Sequence, residues 1–264
     1  METTLHNLTL FLFDTFHKEK VSYAILRNYE GLPDNLGSHD IDILVSRKQK
    51  PLIHRIMKRY ESVFENVHWI RIGERQYVLS YYLSYEEDGK KELLQFDFFY
   101  ALDWHGRTML DADTMLAQAS QYHGFSILRP AHEAVTSLFS SLIRGGFYKE
   151  KYHSKIKELI AVDEEEFARV LSYSVGDAAG ALQNAILEDD CRKCERMVGE
   201  LRKNITRSSF RHHPCGTIHD MTKFVLWEIR NRIRYTGALI AIVGGSQQER
   251  LDFAHRLMPL VFKS

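Results

Sequence analysis

The chain has 264 residues, of which 44% are hydrophobic and 27% charged, an ordinary globular composition with no sign of disorder. Lysines plus arginines and aspartates plus glutamates both number 35, so the formal net charge is zero. A neutral chain has no global field to gather a long polyanion, so we expect a small acceptor or partner rather than long nucleic acid.

The N-terminal part of the sequence mixes helix and strand patterns. Leu5, Leu8, Leu12 and Phe16 recur at spacings of three and four, which predicts an amphipathic helix over residues 5–16. After it we expect a strand, a loop, a strand, a helix and three strands, the last two joined by the hairpin signal Asp88-Gly89. The first two strands are predicted over residues 23–26 and 41–45, with a loop between them that contains Gly31, Pro33, Asn35 and Gly37. The helix is predicted over residues 48–60, and the last three strands over residues 67–72, 76–85 and 92–99.

Beyond residue 108 the helical period dominates. Pro130 predicts the start of a helix that Gly145-Gly146 ends. Further helices are predicted over residues 148–161, 163–174, 177–194 and 218–234. The fold class is therefore α+β: a mixed sheet with flanking helices in a domain over residues 1–112, a helical domain over 113–236, and a tail over 237–264.

Asp40 and Asp42 are the most informative residues of the chain. They lie one residue apart at the start of a predicted strand, so their carboxylates project from one face, about 6 to 7 Å apart. Two like charges this close together are unfavourable on a strand that packs into the hydrophobic core, unless a cation or a hydrogen-bond donor compensates them. A divalent metal ion fits this requirement.

Asp97 adds a third carboxylate on a later strand. Strand alternation places Leu94, Phe96 and Phe98 on one face and Asp97 on the other, with Gln95 and Phe99. If this strand adjoins the Asp40 strand, the three aspartates converge and can hold two Mg²⁺ ions. Asp97 would then be a metal ligand and also the catalytic group that orients or deprotonates an acceptor hydroxyl.

The run Asp40-Ile41-Asp42-Ile43, the later Asp97 and the order helix, strand, loop, strand resemble the polymerase-beta-like nucleotidyltransferase superfamily. The resemblance implies a nucleotidyltransferase-like sheet, two Mg²⁺ ions and a nucleoside triphosphate donor. It also implies transfer of a nucleoside monophosphate to a hydroxyl, with loss of pyrophosphate. The acceptor could be a sugar, a glycan precursor, an antibiotic or another small alcohol.

One motif departs from that family. Arg27-Asn28 stands where the family has a Gly-Ser pair, so phosphate would be held by side chains rather than by closely approaching backbone. Ser38 and Lys151 are further candidates for nucleotide binding. Ser38 has the alternative role of a turn residue before the strand, and Lys151 that of a solvated lysine on a charged helix.

The tail resembles the start of a thymidylate-kinase-like P-loop module found in some bacterial polysaccharide-cluster proteins. A buried strand over residues 238–243 leads into Gly244-Gly245, but the positions for Gly-Lys-Ser/Thr carry Glu249, Arg250 and Leu251. Glutamate repels phosphate and leucine binds no metal. We expect a degenerate, truncated remnant that does not bind nucleotide.

Two other functions remain open at this stage. The altered Gly-Ser position and the broken P-loop also fit a catalytically inactive scaffold or binding protein. A zinc-stabilised interaction module would use ligand types found between residues 191 and 219, which are Cys191, Cys194, His212, His213, Cys215 and His219.

The sequence also indicates where in the cell the protein is expected. Three cysteines do not make a disulfide framework, and the N-terminus lacks the basic-then-apolar order of a secretory signal. The longest apolar run is far shorter than the roughly 20 residues that span a bilayer. We therefore expect a cytoplasmic protein without a membrane span.

Overall fold

A computed structural model describes residues 4–36, 40–64, 67–74, 77–87 and 89–234. The described chain begins with a helix, continues through mixed strands and helices, and ends in a series of helices. The strands are β1 Tyr23–Ile25, β2 Asp40–Val45, β3 His68–Glu74, β4 Val78–Glu87, β5 Lys90–Phe99, β6 Ala101–Trp104, β7 Arg107–Asp111, β8 Ser120–Tyr122 and β9 Phe125–Ile127. The α-helices are α1 Thr4–Lys18, α2 Lys50–Lys58, α3 Tyr60–Val63, α4 Ala112–Leu116, α5 Pro130–Phe139, α6 His153–Val162, α7 Glu164–Val175, α8 Ala179–Leu187, α9 Cys191–His212 and α10 Pro214–Arg234.

Seven strands form one mixed sheet in the order β3, β4, β5, β2, β1, β9, β8. β2 runs parallel to β5 and β1 runs parallel to β9, whereas the other neighbours are antiparallel. The remaining strands, β6 and β7, form a separate hairpin. The predicted α+β class, with a mixed sheet and flanking helices, is confirmed.

The sheet separates two hydrophobic cores because its strands alternate faces. Ile41, Ile43 and Val45 of β2 join the core beneath α1 and α2. Leu44 joins the other core, which contains the inward faces of α5, α7 and α9. The residues that precede Leu44 on that second face are Asp40 and Asp42, so the acidic side of β2 lies towards the helical part of the protein.

The same alternation holds on β5. Leu94, Phe96 and Phe98 are fully buried in the core under α1 and α2. The predicted division of this strand into an apolar and a polar face is confirmed. Asp97 therefore faces the same side as Asp42.

The helical part begins with α5 and contains one irregular segment. Ser140–Gly145 continues α5 as a π-helix, and Gly146 ends it in the left-handed conformation with φ 80°. The predicted stop at Gly145-Gly146 is confirmed. Within the described residues, no helix carries an apolar stretch of the length needed to cross a bilayer.

Several elements differ from the sequence-based expectation. The single helix predicted over residues 177–194 is wrong: α8 ends at Leu187 and α9 begins at Cys191. The break forms because the Asp190 carboxylate accepts a hydrogen bond from the Lys193 N–H, at 2.8 Å, and caps a new helix.

The strands β6 to β9 were not predicted, and β8 and β9 extend the sheet past residue 112. The P-loop-like tail over 237–264 lies outside the described residues.

Candidate metal centre

Asp40, Asp42 and Asp97 form one cluster, here called the aspartate cluster. β2 and β5 are parallel neighbours with Asp42 opposite Asp97 and Asp40 opposite Gln95. Each aspartate offers an oxygen, and these three oxygens lie within 4.8 Å of one another. The convergence expected from the sequence is therefore present.

Asp97 is only partly satisfied by the protein. Its Oδ2 accepts a hydrogen bond from Gln95 Nε2 at 2.9 Å. Its Oδ1 is buried and accepts no hydrogen bond from the described residues. A buried carboxylate oxygen is costly without a partner, and three convergent carboxylates are the oxygen donors that Mg²⁺ and Mn²⁺ prefer. The aspartate cluster thus fits a divalent cation.

Asp42 is paired with Arg27. Arg27 Nε donates a hydrogen bond to Asp42 Oδ2 at 2.8 Å, and Arg27 Nη2 lies 2.6 Å from the same oxygen, in an ion pair. The Arg27 Nη1 donates to Ser140 Oγ at 3.2 Å, and the guanidinium carbon lies 5.7 Å from the centre of the Tyr152 ring. The helical part of the protein therefore holds Arg27 against the aspartate cluster.

The charges of this pair influence each other's titration. Burial raises the pKa of Asp42, Arg27 opposes that rise, and the like charges of Asp40 and Asp97 add to it. Burial lowers the pKa of Arg27, but the charge and hydrogen bond of Asp42, together with Tyr152 and Asp40, outweigh burial and raise that pKa overall. Both effects arise because the Asp42 carboxylate is only 5% exposed and lies close to two other carboxylates.

The aspartate cluster lines a cavity of about 550 Å³, here called the aspartate cavity. Strands β2 to β5 form part of its wall, and α10 contributes Trp227 and Asn231 to the wall. Four aromatic residues also line the cavity, Tyr77, Tyr82, Phe99 and Trp227. The volume is within the range of small-molecule sites.

Arg144 supplies a second guanidinium to the cavity. Its Nε and Nη2 donate to the backbone carbonyl of Asp103 at 3.1 and 2.9 Å. Its guanidinium carbon lies 4.7 Å from the centre of the Tyr77 ring. Arg144 forms no ion pair with a carboxylate among the described residues, so its charge is available to an anion in the cavity. Burial lowers the pKa of Arg144, while Tyr77 and Asp103 act in the other direction.

The other residues expected to bind nucleotide have different positions. Arg27 lines the aspartate cavity, but Asn28 and Lys151 are exposed and do not. Asn28 has a positive φ of 58°, and the Lys151 ammonium lies 4.8 Å from the Tyr152 ring. Ser38 lies outside the described residues. The nucleotide-binding roles of these three residues stay predictions.

Sequence reasoning missed Arg144 as a site residue. The sequence indicated only the end of a helix at this point, because the glycines that follow it dominate the local pattern. What brings Arg144 to the cavity is a contact with Asp103, 41 positions away, and no local pattern reports such a contact. Gln95 had a visible signal, since it shares a strand face with Asp97.

The zinc hypothesis receives no support from the geometry. Cys191 begins α9 and His212 ends it, so the two ends of this 22-residue helix are about 30 Å apart. Cys194 is buried in the core. In the part of the chain that the structure describes, only the aspartate cluster brings three metal-binding side chains together.

No family model matches this sequence, and no curated protein matches it. Two solved structures from Helicobacter pylori are similar to parts of it. One is JHP933, with 12% identity and a TM-score of 0.34 over 75% of this chain and 82% of that one. The other, assigned only provisionally as a nucleotidyltransferase, has 14% identity and a TM-score of 0.33 over 66% of this chain and 79% of that one. Likenesses this slight carry no information on function.

Proposed function

We propose that this protein is a divalent-metal-dependent nucleotidyltransferase. It would move a nucleoside monophosphate from a nucleoside triphosphate to a hydroxyl of a small-molecule or glycan-type acceptor. The observation that carries the proposal is the convergence of three carboxylates on a cavity that also contains two guanidinium groups. One of these carboxylates has a buried oxygen without a hydrogen-bond partner among the described residues.

The residues of the cavity have complementary tasks in this reaction. Asp40, Asp42 and Asp97 would hold Mg²⁺, which when bound supplies positive charge to the triphosphate and to the leaving pyrophosphate. Arg144 would bind phosphate oxygens through the charge that no described carboxylate neutralises. The nucleobase would stack on the aromatic side chains of the cavity, such as Tyr77 or Trp227.

The chemical step is a single displacement. The acceptor oxygen forms a bond to the α-phosphorus while the bond from that phosphorus to the bridging oxygen breaks. The electron pair of that bond leaves with pyrophosphate. Asp97 would accept the proton of the acceptor hydroxyl, because its Oδ1 receives no hydrogen bond from the part of the chain that the structure describes. The zero net charge favours a small acceptor over long nucleic acid.

A second candidate is a catalytically inactive scaffold protein with the same fold. The Arg27–Asp42 ion pair favours it, because a guanidinium already neutralises one of the three carboxylates. The volume of the aspartate cavity and the position of Arg144 favour the enzyme, since a scaffold needs neither. Nucleotide binding and pyrophosphate release separate the two candidates.

Thermal unfolding with a panel of nucleoside triphosphates, with and without Mg²⁺, tests the proposal. A ligand present at about 100 times its Kd increases the free energy of unfolding by about 2.7 kcal/mol. Such an increase raises Tm by several degrees. We expect such a rise for at least one nucleotide with Mg²⁺, and its loss in Asp42→Asn and in Asp97→Asn.

The control is Glu165→Gln, which removes an exposed carboxylate on α7 that does not line the cavity. This variant should respond to nucleotide like the wild type. Equal Tm values for the wild type across the whole panel would refute nucleotide binding. Binding without pyrophosphate release, with sugar and polyol acceptors in excess, would support the scaffold candidate.

A further inference from the structure

Two guanidinium groups line the same cavity as the aspartate cluster. We infer that Arg27, together with Arg144, replaces one of the two divalent ions that the resemblance implies, so that the aspartate cluster holds one ion. This inference rests on the proposed function and specifies its metal requirement.

The first reason lies in the oxygens of Asp42. In a two-ion site the ions are about 3.5 to 4 Å apart, and a shared carboxylate gives one oxygen to each. Here Oδ2 of Asp42 already accepts a hydrogen bond from Arg27 Nε and lies 2.6 Å from Arg27 Nη2. Only Oδ1 is left for a metal ion, so Asp42 cannot bridge two ions while Arg27 keeps its position.

The second reason is that Arg27 is held where it is. Its Nη1 donates to Ser140 Oγ, and its guanidinium lies near the Tyr152 ring. Its side chain is only 18% exposed. These contacts come from the helical part of the chain, so the arginine would have to leave three partners to make room for a second ion.

The third reason is the balance of charge. One divalent ion and one guanidinium together match the three carboxylates. Arg144 then adds a further positive charge for the phosphates, and the two arginines together carry the charge of one divalent ion. Arginine is not deprotonated in proteins, so this positive charge is permanent. A second divalent ion beside Arg27 would be repelled by it at short range.

A second cavity and a cysteine lie outside the aspartate cavity. The second cavity, of about 370 Å³, is lined by charges of both signs. These charges form the ion pairs Arg47–Asp220 and Lys48–Asp113. The Cys191 thiol touches His153, but burial raises its pKa and so disfavours the reactive thiolate. Neither feature indicates a ligand.

Counting bound Mn²⁺ by electron paramagnetic resonance tests the inference, since Mn²⁺ takes the same ligands as Mg²⁺ and its free ion is observed directly. The titration is done without nucleotide, so that no ion is carried by phosphate. We expect one Mn²⁺ per wild-type chain. Arg27→Met, which removes the charge and frees Asp42 Oδ2, should bind two.

Two variants serve as matched controls. Arg27→Lys keeps a positive charge beside Asp42 and should still bind one ion. Arg169→Met removes an exposed arginine paired with Glu166 on α7 and should also bind one. Thermal unfolding shows whether each variant is folded.

Each outcome has a separate meaning. Two ions in the wild type would overturn the inference and leave the proposed function intact, and this result does not depend on any variant. One ion in both the wild type and folded Arg27→Met would also overturn it. No bound Mn²⁺ in any variant would overturn the proposed function itself.

Discussion

At the scale of single residues, Glu133 on α5 is a buried carboxyl group outside the aspartate cavity. It is 2% exposed and accepts a hydrogen bond from Tyr29 Oη at 2.9 Å. Burial raises its pKa from 4.5 to about 7, against the effects of the Tyr29 hydrogen bond and of Lys155. Glu30 adds to the rise and Arg27 opposes it. The folded protein therefore keeps a proton on Glu133 at a pH where the unfolded chain has lost it.

This shift predicts how stability depends on pH. Because the folded pKa is raised, the contribution of Glu133 is fully present below about pH 4.5 and is lost as the pH rises through about 7. Glu133→Gln keeps an acceptor for Tyr29 and cannot ionise. In urea unfolding we expect the variant to match the wild type near pH 5. At pH 8 it should be more stable, by on the order of 2 to 3 kcal/mol.

Glu200→Gln is the control for the Glu133 prediction. It changes an exposed glutamate on α9, so its stability should follow the wild-type pH profile. If Glu133→Gln and the wild type also gave parallel profiles between pH 5 and 8, the raised pKa of Glu133 would be wrong.

At the scale of elements, the β6–β7 hairpin supports the wall of the aspartate cavity. Its turn contains His105, whose ring stacks on Phe224 of α10 at 4.6 Å, and Gly106, whose φ is 82°. A Cβ on Gly106 would lie 2.6 Å from the backbone of Met221 in α10. The same helix carries Trp227 to the cavity, so the packing of this turn positions one cavity wall.

Gly106→Ala should displace α10. The left-handed backbone costs an alanine about 1 to 2 kcal/mol, and the overlap with helix backbone adds about 1 to 3 kcal/mol. We expect a lower Tm and faster hydrogen exchange over residues 214–231. Gly89→Ala is the matched control, because Gly89 has a φ of 72° but no described atom within 4 Å of an added Cβ. Equal losses of stability in the two variants would contradict contact between the turn and α10.

The same elements show what the sequence can predict. Alternation on β5 predicted the buried Phe96 and Phe98 and the polar position of Asp97, because strand period is a local property. The three-residue strands β8 and β9 are too short to show a period. The Arg27–Asp42 pair depends on the contact between β1 and β2, where the Leu26 N–H donates to the Asp42 carbonyl at 2.9 Å. Both residues were candidates, but only the register shows that they meet.

At the scale of the whole molecule, one face of the sheet shares its core with the helices that follow it. Ala24, Leu44 and Leu110 from the strands pack in the same core as Leu138 of α5 and Phe167 of α7. The aspartate cavity lies where these parts meet, with aspartates from strands and Arg144 from the helical part. The division of the chain at residue 112 stays a prediction, and this shared core provides the means to test it.

We expect the described parts of the chain to unfold together. A fragment of residues 1–112 would lack β9, which pairs with β1, and α5, whose apolar residues belong to the same core as Ala24 and Leu44. The exposed apolar face and the unpaired edge of β1 should leave this fragment without a cooperative unfolding transition.

For the full chain, circular dichroism and tryptophan fluorescence should give coincident urea transitions. A cooperative transition in the fragment, or two separated transitions in the full chain, would instead show that residues 1–112 fold as an independent domain. Arg27 would then depend on the second domain for its contacts with Ser140 and with the Tyr152 ring.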